Sequence, residues 1–104
     1  MIELLILKNK WVMKVRVKNM TSNKGNDIAN QFIIITKQGE YFQSYSTIIG
    51  YYRYKDQQTF LDRDSWDYSM TTGKYRNQWT GDYGIEETRE HIASGKYKLK
   101  NLNK

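Results

Sequence analysis

Residues 31–36, QFIIIT, constrain the fold more than any other stretch of the chain. A continuous β-branched run fits the pleated surface of a central strand, because its stiff side chains crowd a helix but pack well on a sheet. The KQGE that follows supplies a glycine-containing turn, and YFQSYS returns as a second strand, so a hairpin forms the centre of a sheet. A second hairpin follows, with TIIGYYRY and TFLD flanking the polar residues 55–58 and Gly50 marking a bulge where the sheet bends. Ahead of both, WVMKVRVK alternates: Trp11, Met13, Val15 and Val17 fall on one face and Val12, Lys14, Arg16 and Lys18 on the other, the period of a half-buried strand. NMTSNKGNDIAN, rich in turn-forming side chains, separates it from the central hairpin as an exposed loop.

Helical patterns come later. Asp64 or Ser65 can cap a helix in which Tyr68, Thr72, Tyr75 and Trp79 recur at near-helical spacing, with Gly73 weakening it by about 1 kcal/mol relative to Ala. After TGDYG, residues 85–94 form a clearer helix, with Glu86 and Glu87 at its positive end and Gly95 beyond its last turn. KYKLK then alternates again, Tyr97 and Leu99 opposite Lys96, Lys98 and Lys100. The fold class expected is therefore α+β: a mostly antiparallel β-sheet with two short helices packed on one face. Residues 13–104 form its single domain. Met13 opens MKVRVKN like a natural start, so residues 1–12 read either as a mobile extension or as an added strand.

With 104 residues the chain supports one modest core and no second module. It holds no cysteine, which excludes disulfides, thiolate metal sites and cysteine nucleophiles. The apolar run IELLIL is far shorter than the roughly 20 residues of a membrane span, so no membrane partner is expected. Seventeen basic against eleven acidic residues give a net charge of +6, which favours an anionic partner.

Candidate chemistry is thin. His91, the single histidine, pairs at most with Glu87 one helical turn earlier and has no further ligands for a metal. Asp62, Asp64 and Asp67 resemble the start of a calcium loop, but Asp67 and Gly73 stand where that loop needs a glycine and an acid. No phosphate-binding glycine fingerprint or nucleophile elbow occurs. These observations point to a non-enzymatic protein without metal or cofactor.

A nucleic-acid reading rests on two basic runs. If their strands are neighbours, Lys14, Arg16, Lys18, Lys96, Lys98 and Lys100 form one patch, and Tyr41, Tyr45, Tyr51, Tyr52 or Tyr54 can stack bases beside it. The plainer alternative is that the lysines decorate a wet sheet face and the tyrosines fill a small core. In DRDSWDYSMTTGKYRNQW, Tyr68, Tyr75 and Trp79 make the inner face of a helix, with Trp66 and Met70 at its margin; Arg63, Asp67, Lys74, Arg76 and Asn77 face outward, where they can contact a partner.

The segments FQSY with the following TII, WDYS, KYRNQW and the terminal KYKL make residues 13–103 resemble a family of small uncharacterised bacteriophage proteins. Trp79 stands where that family would place Phe or another apolar residue. The resemblance implies a phage gene expressed in the host bacterial cytoplasm and no particular activity. The function expected is a non-enzymatic accessory protein that occupies a host protein or nucleic-acid surface, inhibition of a host defence system being one such action. The alternative is a nucleic-acid-binding protein that uses a basic, Tyr-containing sheet face.

Overall fold

The computed structural model describes residues 15–104. Lys14, the extension 1–12, the boundary at residue 13 and the first half of the WVMKVRVK strand lie outside them. The elements run β1 (Arg16–Thr21), β2 (Asp27–Ile35), β3 (Gly39–Ser44), β4 (Thr47–Arg53), β5 (Gln58–Asp62), α1 (Met70–Thr80), α2 (Ile85–Ser94) and β6 (Tyr97–Lys100). The strands lie in chain order across one six-stranded sheet. The first five form an antiparallel meander joined by short turns. β6 instead joins β5 in parallel, because a parallel neighbour needs a crossover, and α1 and α2 supply it. The result is the expected α+β fold with a mostly antiparallel sheet and two helices.

Cross-strand pairing sorts the side chains into two transverse rows. Lys18, Ile33, Phe42, Gly50, Leu61 and Leu99 face one another in sequence from β1 to β6, and one residue along each strand Val17, Ile34, Tyr41, Tyr51, Phe60 and Lys98 do the same. Successive residues point to opposite faces, so the first row belongs to one side of the sheet and the second to the other. The core lies on the first side: Met20, Ile33, Phe42 and Ile49 are buried, and Ile28, Ile35, Tyr75 and Trp79 pack against them. α1 is thus fastened to that side.

Four local expectations change. The exposed loop narrows to residues 22–26, because Asn19 donates through its side-chain amide to the Ile28 carbonyl at 2.9 Å and keeps β1 and β2 paired past it. The β3–β4 register slips between Phe42 and Gln43, opposite Ile49, so the bulge opens next to Gly50 rather than at it. Helix α1 is capped by Ser69, whose hydroxyl accepts from the Thr72 N–H at 3.1 Å, not by Asp64 or Ser65. Asp62 claims the upstream segment instead, accepting the Ser65 and Trp66 N–H groups at its carbonyl, so residues 63–67 turn rather than coil. Tyr68 consequently precedes the helix and is 71% exposed, outside the inner face assigned to it, and Met70 is 93% exposed.

Gly50 does more than admit a bulge. A Cβ there would lie 2.4 Å from the Trp79 ring, so glycine lets the indole rest directly on β4. Gly50→Ala is expected to cost about 1–3 kcal/mol through overpacking, read as a lower denaturant midpoint. In a Trp79→Leu background the same substitution should cost clearly less; additive energies would show that the indole is not what Gly50 accommodates.

Candidate functional site

The second row forms the face of the sheet opposite the helices, and its middle is aromatic. Tyr41 and Tyr51 stack with ring centroids 4.5 Å apart and planes 26° from parallel, and Tyr51 continues to Phe60 at 6.1 Å and 18°. Gly39 permits this packing. A Cβ on it would sit 2.7 Å from the Tyr51 ring and 2.1 Å from the Tyr52 carbonyl oxygen. Cations close over the far end of the stripe: the Arg53 guanidinium lies 4.9 Å and the Lys100 ammonium 5.4 Å from the Phe60 centroid. Phe60 is 8% exposed beneath them, an arrangement in which ring quadrupole and cation attract. Lys98 pairs directly with Phe60 across β5–β6.

Electrostatics sharpen this picture. Arg53 donates from Nε and Nη2 to the two Asp56 carboxylate oxygens at 2.9 and 2.7 Å, and that hydrogen bonding holds the Asp56 carboxyl down at about 2. Burial, and then the neighbouring Tyr41, push the Tyr51 phenol up, so Tyr51 stays neutral at physiological pH. The stripe therefore presents uncharged rings edged by cations.

Of the basic residues singled out from the sequence, Lys98 and Lys100 reach this face. Arg16 and Lys18 are exposed, but they pair with Ile35 and Ile33 on the helix-bearing side. β1 and β6 are opposite edges of the sheet, with four strands between them, so the described members of the expected six-cation patch do not come together. The crossover decides this by returning β6 to the β5 edge; Lys14 lies outside the described residues. Lys96 precedes β6 and lines a cleft of about 390 Å³ with Glu40, Tyr52, Trp79 and Tyr97 on the helix side. Arg63 is exposed and donates its backbone N–H to the Lys100 carbonyl at 3.0 Å. Lys74 is exposed on α1 and lies over the Tyr75 ring at 5.3 Å.

Arg76 corrects the sequence reading outright. It is 1% exposed, not outward-facing, because a helix starting at Met70 turns Thr72 and Arg76, four residues apart, to its inner side. Its guanidinium donates to the Trp66 carbonyl at 2.7 Å and to Asn77 Oδ1 at 3.1 Å and lies 5.4 Å from the Trp66 ring, clasping the 63–69 segment to α1. Of the tyrosines singled out for stacking, Tyr41 and Tyr51 belong to the stripe. Tyr52 lies in the helix-side cleft and meets Tyr54 edge-to-face at 6.0 Å, while Tyr45 takes φ 55° in the β3–β4 turn. Phe60 and Arg53 were missed, although Tyr51 and Arg53, at alternate positions of one strand, already fall on a single face.

His91 also departs from expectation. Its Nδ1 lies 3.2 Å from Asp82 Oδ1, whereas Glu87 accepts the Tyr83 N–H at 3.0 Å. Asp82 is buried and accepts from the Thr88 hydroxyl at 2.7 Å and the Tyr97 hydroxyl at 2.8 Å, tying α2 and β6 to one carboxylate. This tie positions Lys98 and Lys100 beside Phe60. Burial works to raise the Asp82 carboxyl, but the Thr88 and Tyr97 hydrogen bonds outweigh it and hold the group below the usual range. A carboxylate depressed by folding contributes stability above the unfolded value of about 3.9, and that contribution is lost as pH falls through the lower folded value. Asp82→Asn should therefore lower stability by about 1–3 kcal/mol at pH 7 and make denaturation midpoints fall less steeply with acidification below about pH 4. An unchanged acid limb would remove Asp82 from that role.

Among the described residues no three His, Cys, Asp or Glu side chains converge as a metal site, and no helix is long and apolar enough to cross a membrane. Residues 15–95 match the model of a family described as a Family of unknown function (DUF8033). No curated protein and no solved structure matches the chain.

Proposed function

This chain belongs to the DUF8033 family, which carries no assigned function, and we propose from its own geometry that it is a non-enzymatic protein that binds single-stranded nucleic acid on the face of its sheet opposite α1 and α2. The carrying observation is the transverse stripe Tyr41–Tyr51–Phe60 with Arg53, Lys98 and Lys100 at its end. Bases stack on such rings irrespective of sequence, while phosphates meet the cations. A single strand suits the site because its splayed bases can reach the half-buried Tyr41 and Tyr51, whereas a duplex keeps its bases stacked on one another. The net charge of +6 adds long-range attraction.

A second reading, a host protein as partner, is favoured by Tyr68, Met70 and Tyr83, which lie at the two ends of α1 and are 71%, 93% and 97% exposed. Such exposed rings and thioethers are common at protein contacts. The phage setting and the host cytoplasm belong to the same proposal, on the strength of the FQSY, WDYS and KYRNQW blocks.

Fluorescence anisotropy with a labelled single strand of about ten nucleotides separates the two readings. Tyr41→Ala with Tyr51→Ala should weaken binding by about tenfold or more. Lys98→Gln with Lys100→Gln should flatten the logarithmic salt slope by about 0.7 for each phosphate that the lysines neutralise in the wild-type complex. If the wild-type chain leaves the oligonucleotide unbound at low salt, and a protein partner survives both nuclease and the tyrosine substitutions in pull-downs, the protein reading replaces this one.

A further inference from the structure

A cleft of about 470 Å³ opens at the turn end of the same face, lined by Lys37, Gln38, Tyr51, Arg53, Tyr54 and Lys55. Two turns build it. Thr36 and Gly39 brace the first through the Thr36 hydroxyl, which donates to the Gly39 carbonyl at 2.9 Å and accepts the Gly39 N–H at 3.2 Å. The Tyr54 N–H then donates to the Gln38 carbonyl at 2.9 Å, locking the β4–β5 turn to the β2–β3 turn. The walls are thus held by backbone contacts rather than by long side chains.

Charge and shape specify what fits. Asp56 neutralises Arg53 through two hydrogen bonds and leaves its Nη1 without a carboxylate partner, while Lys37 and Lys55 form no ion pair with another described residue. The cleft therefore has an excess of positive charge on one part of its lining and the Tyr51 phenol ring on another. Its volume exceeds that of a lone phosphate and falls in the range of small-ligand sites. An anion joined to a planar ring satisfies both walls at once. Tyr51 also links the cleft to the stripe, because its ring stacks on Tyr41.

We infer that this cleft is a nucleotide subsite, in which the phosphate of one nucleotide lies between Lys37 and Lys55 and its base rests against Tyr51. The inference rests on the single-strand reading above and deepens it: an oligonucleotide crossing the stripe places one nucleotide here, and a free mononucleotide binds here alone. Arg53, held by Asp56, presents its remaining nitrogen to the same phosphate without being free to swing away.

The test is titration of the full chain with adenosine monophosphate, inorganic phosphate and adenosine in parallel, followed by amide chemical shifts. Adenosine monophosphate should shift the Lys37, Gln38 and Lys55 amides and bind at least about fivefold tighter than either fragment, the lower end of what one stacked base contributes. Lys37→Gln with Lys55→Gln should weaken it by about tenfold without changing the melting temperature, because both side chains are exposed on turns. Phosphate binding as tightly as the nucleotide would overturn the inference in favour of a simple anion site. Absent shifts at these amides, with oligonucleotide affinity unchanged in the double variant, would overturn it while leaving the stripe as the binding surface. Should the oligonucleotide fail to bind while adenosine monophosphate still shifts these amides, the subsite stands as a free-nucleotide site and the single-strand reading falls.

Discussion

The contact between Trp79 and Gly50 decides which side of this sheet is interior. With no Cβ at Gly50 the indole lies on the backbone of β4, meets Phe42 at a centroid distance of 6.0 Å and brings α1 down on one side of the sheet. The buried apolar cluster beneath α1 lies there, in Met20, Ile33, Phe42 and Ile49. A sheet of six strands has two faces, and the helices among the described residues cover one. Among the described residues the second face is filled by lateral stacking of Tyr41, Tyr51 and Phe60 under Arg53 and Lys100.

Two carboxylates complete the frame by holding the parallel strand in place. Asp82 gathers the hydroxyls of Thr88 and Tyr97 on the helix side. Asp62, at the end of β5, accepts from the Ser65 hydroxyl and from the Leu102 N–H at 2.8 Å, which fixes the turn into the helical region and the chain beyond β6. Burial opposes ionisation of Asp62 as it does of Asp82, and here too the hydrogen bonds prevail and hold the carboxyl low. β6 is a strand of four residues, and its pairing with β5 depends on these side-chain ties at each end. The geometry of the cationic margin is therefore a consequence of buried acids.

The meander was legible because its signals are local. β-branched runs, glycine-bearing turns and alternation name strands and hairpins without reference to the rest of the chain, and they correctly identified the hairpins β2–β3 and β4–β5. Edge assignment was not legible. Nothing in KYKLK says whether it returns to β1 or to β5; the length and direction of the helical crossover settle that, and with it the separation of Lys98 and Lys100 from Arg16 and Lys18. The faces of β1 were misleading for a related reason. Alternation tells which residues share a side, but only the pairing of Lys18 with Ile33 tells which side the helices occupy. Arg76 escaped because a periodicity search counts guanidinium as polar, whereas its hydrogen bonds to Trp66 and Asn77 let it be buried. Tyr68 was misplaced by one capping choice, Ser69 in place of Ser65, which moved the helix start past it.

An aromatic sheet face that no described helix covers invites any apolar partner, including a second copy of the same chain. Charge discriminates among these occupants. A second copy would bring Lys98 and Lys100 against the same lysines or against a surface that shares the net charge of +6, and desolvating them there without counter-charges is unfavourable. A polyanion reverses the sign of that cost, because each phosphate placed at the margin relieves the cations while its base takes the ring surface. On the proposed reading, the cations at the end of the stripe do two things at once: they oppose closure of this face on a second copy, and they favour a ligand that alternates negative charge with flat rings.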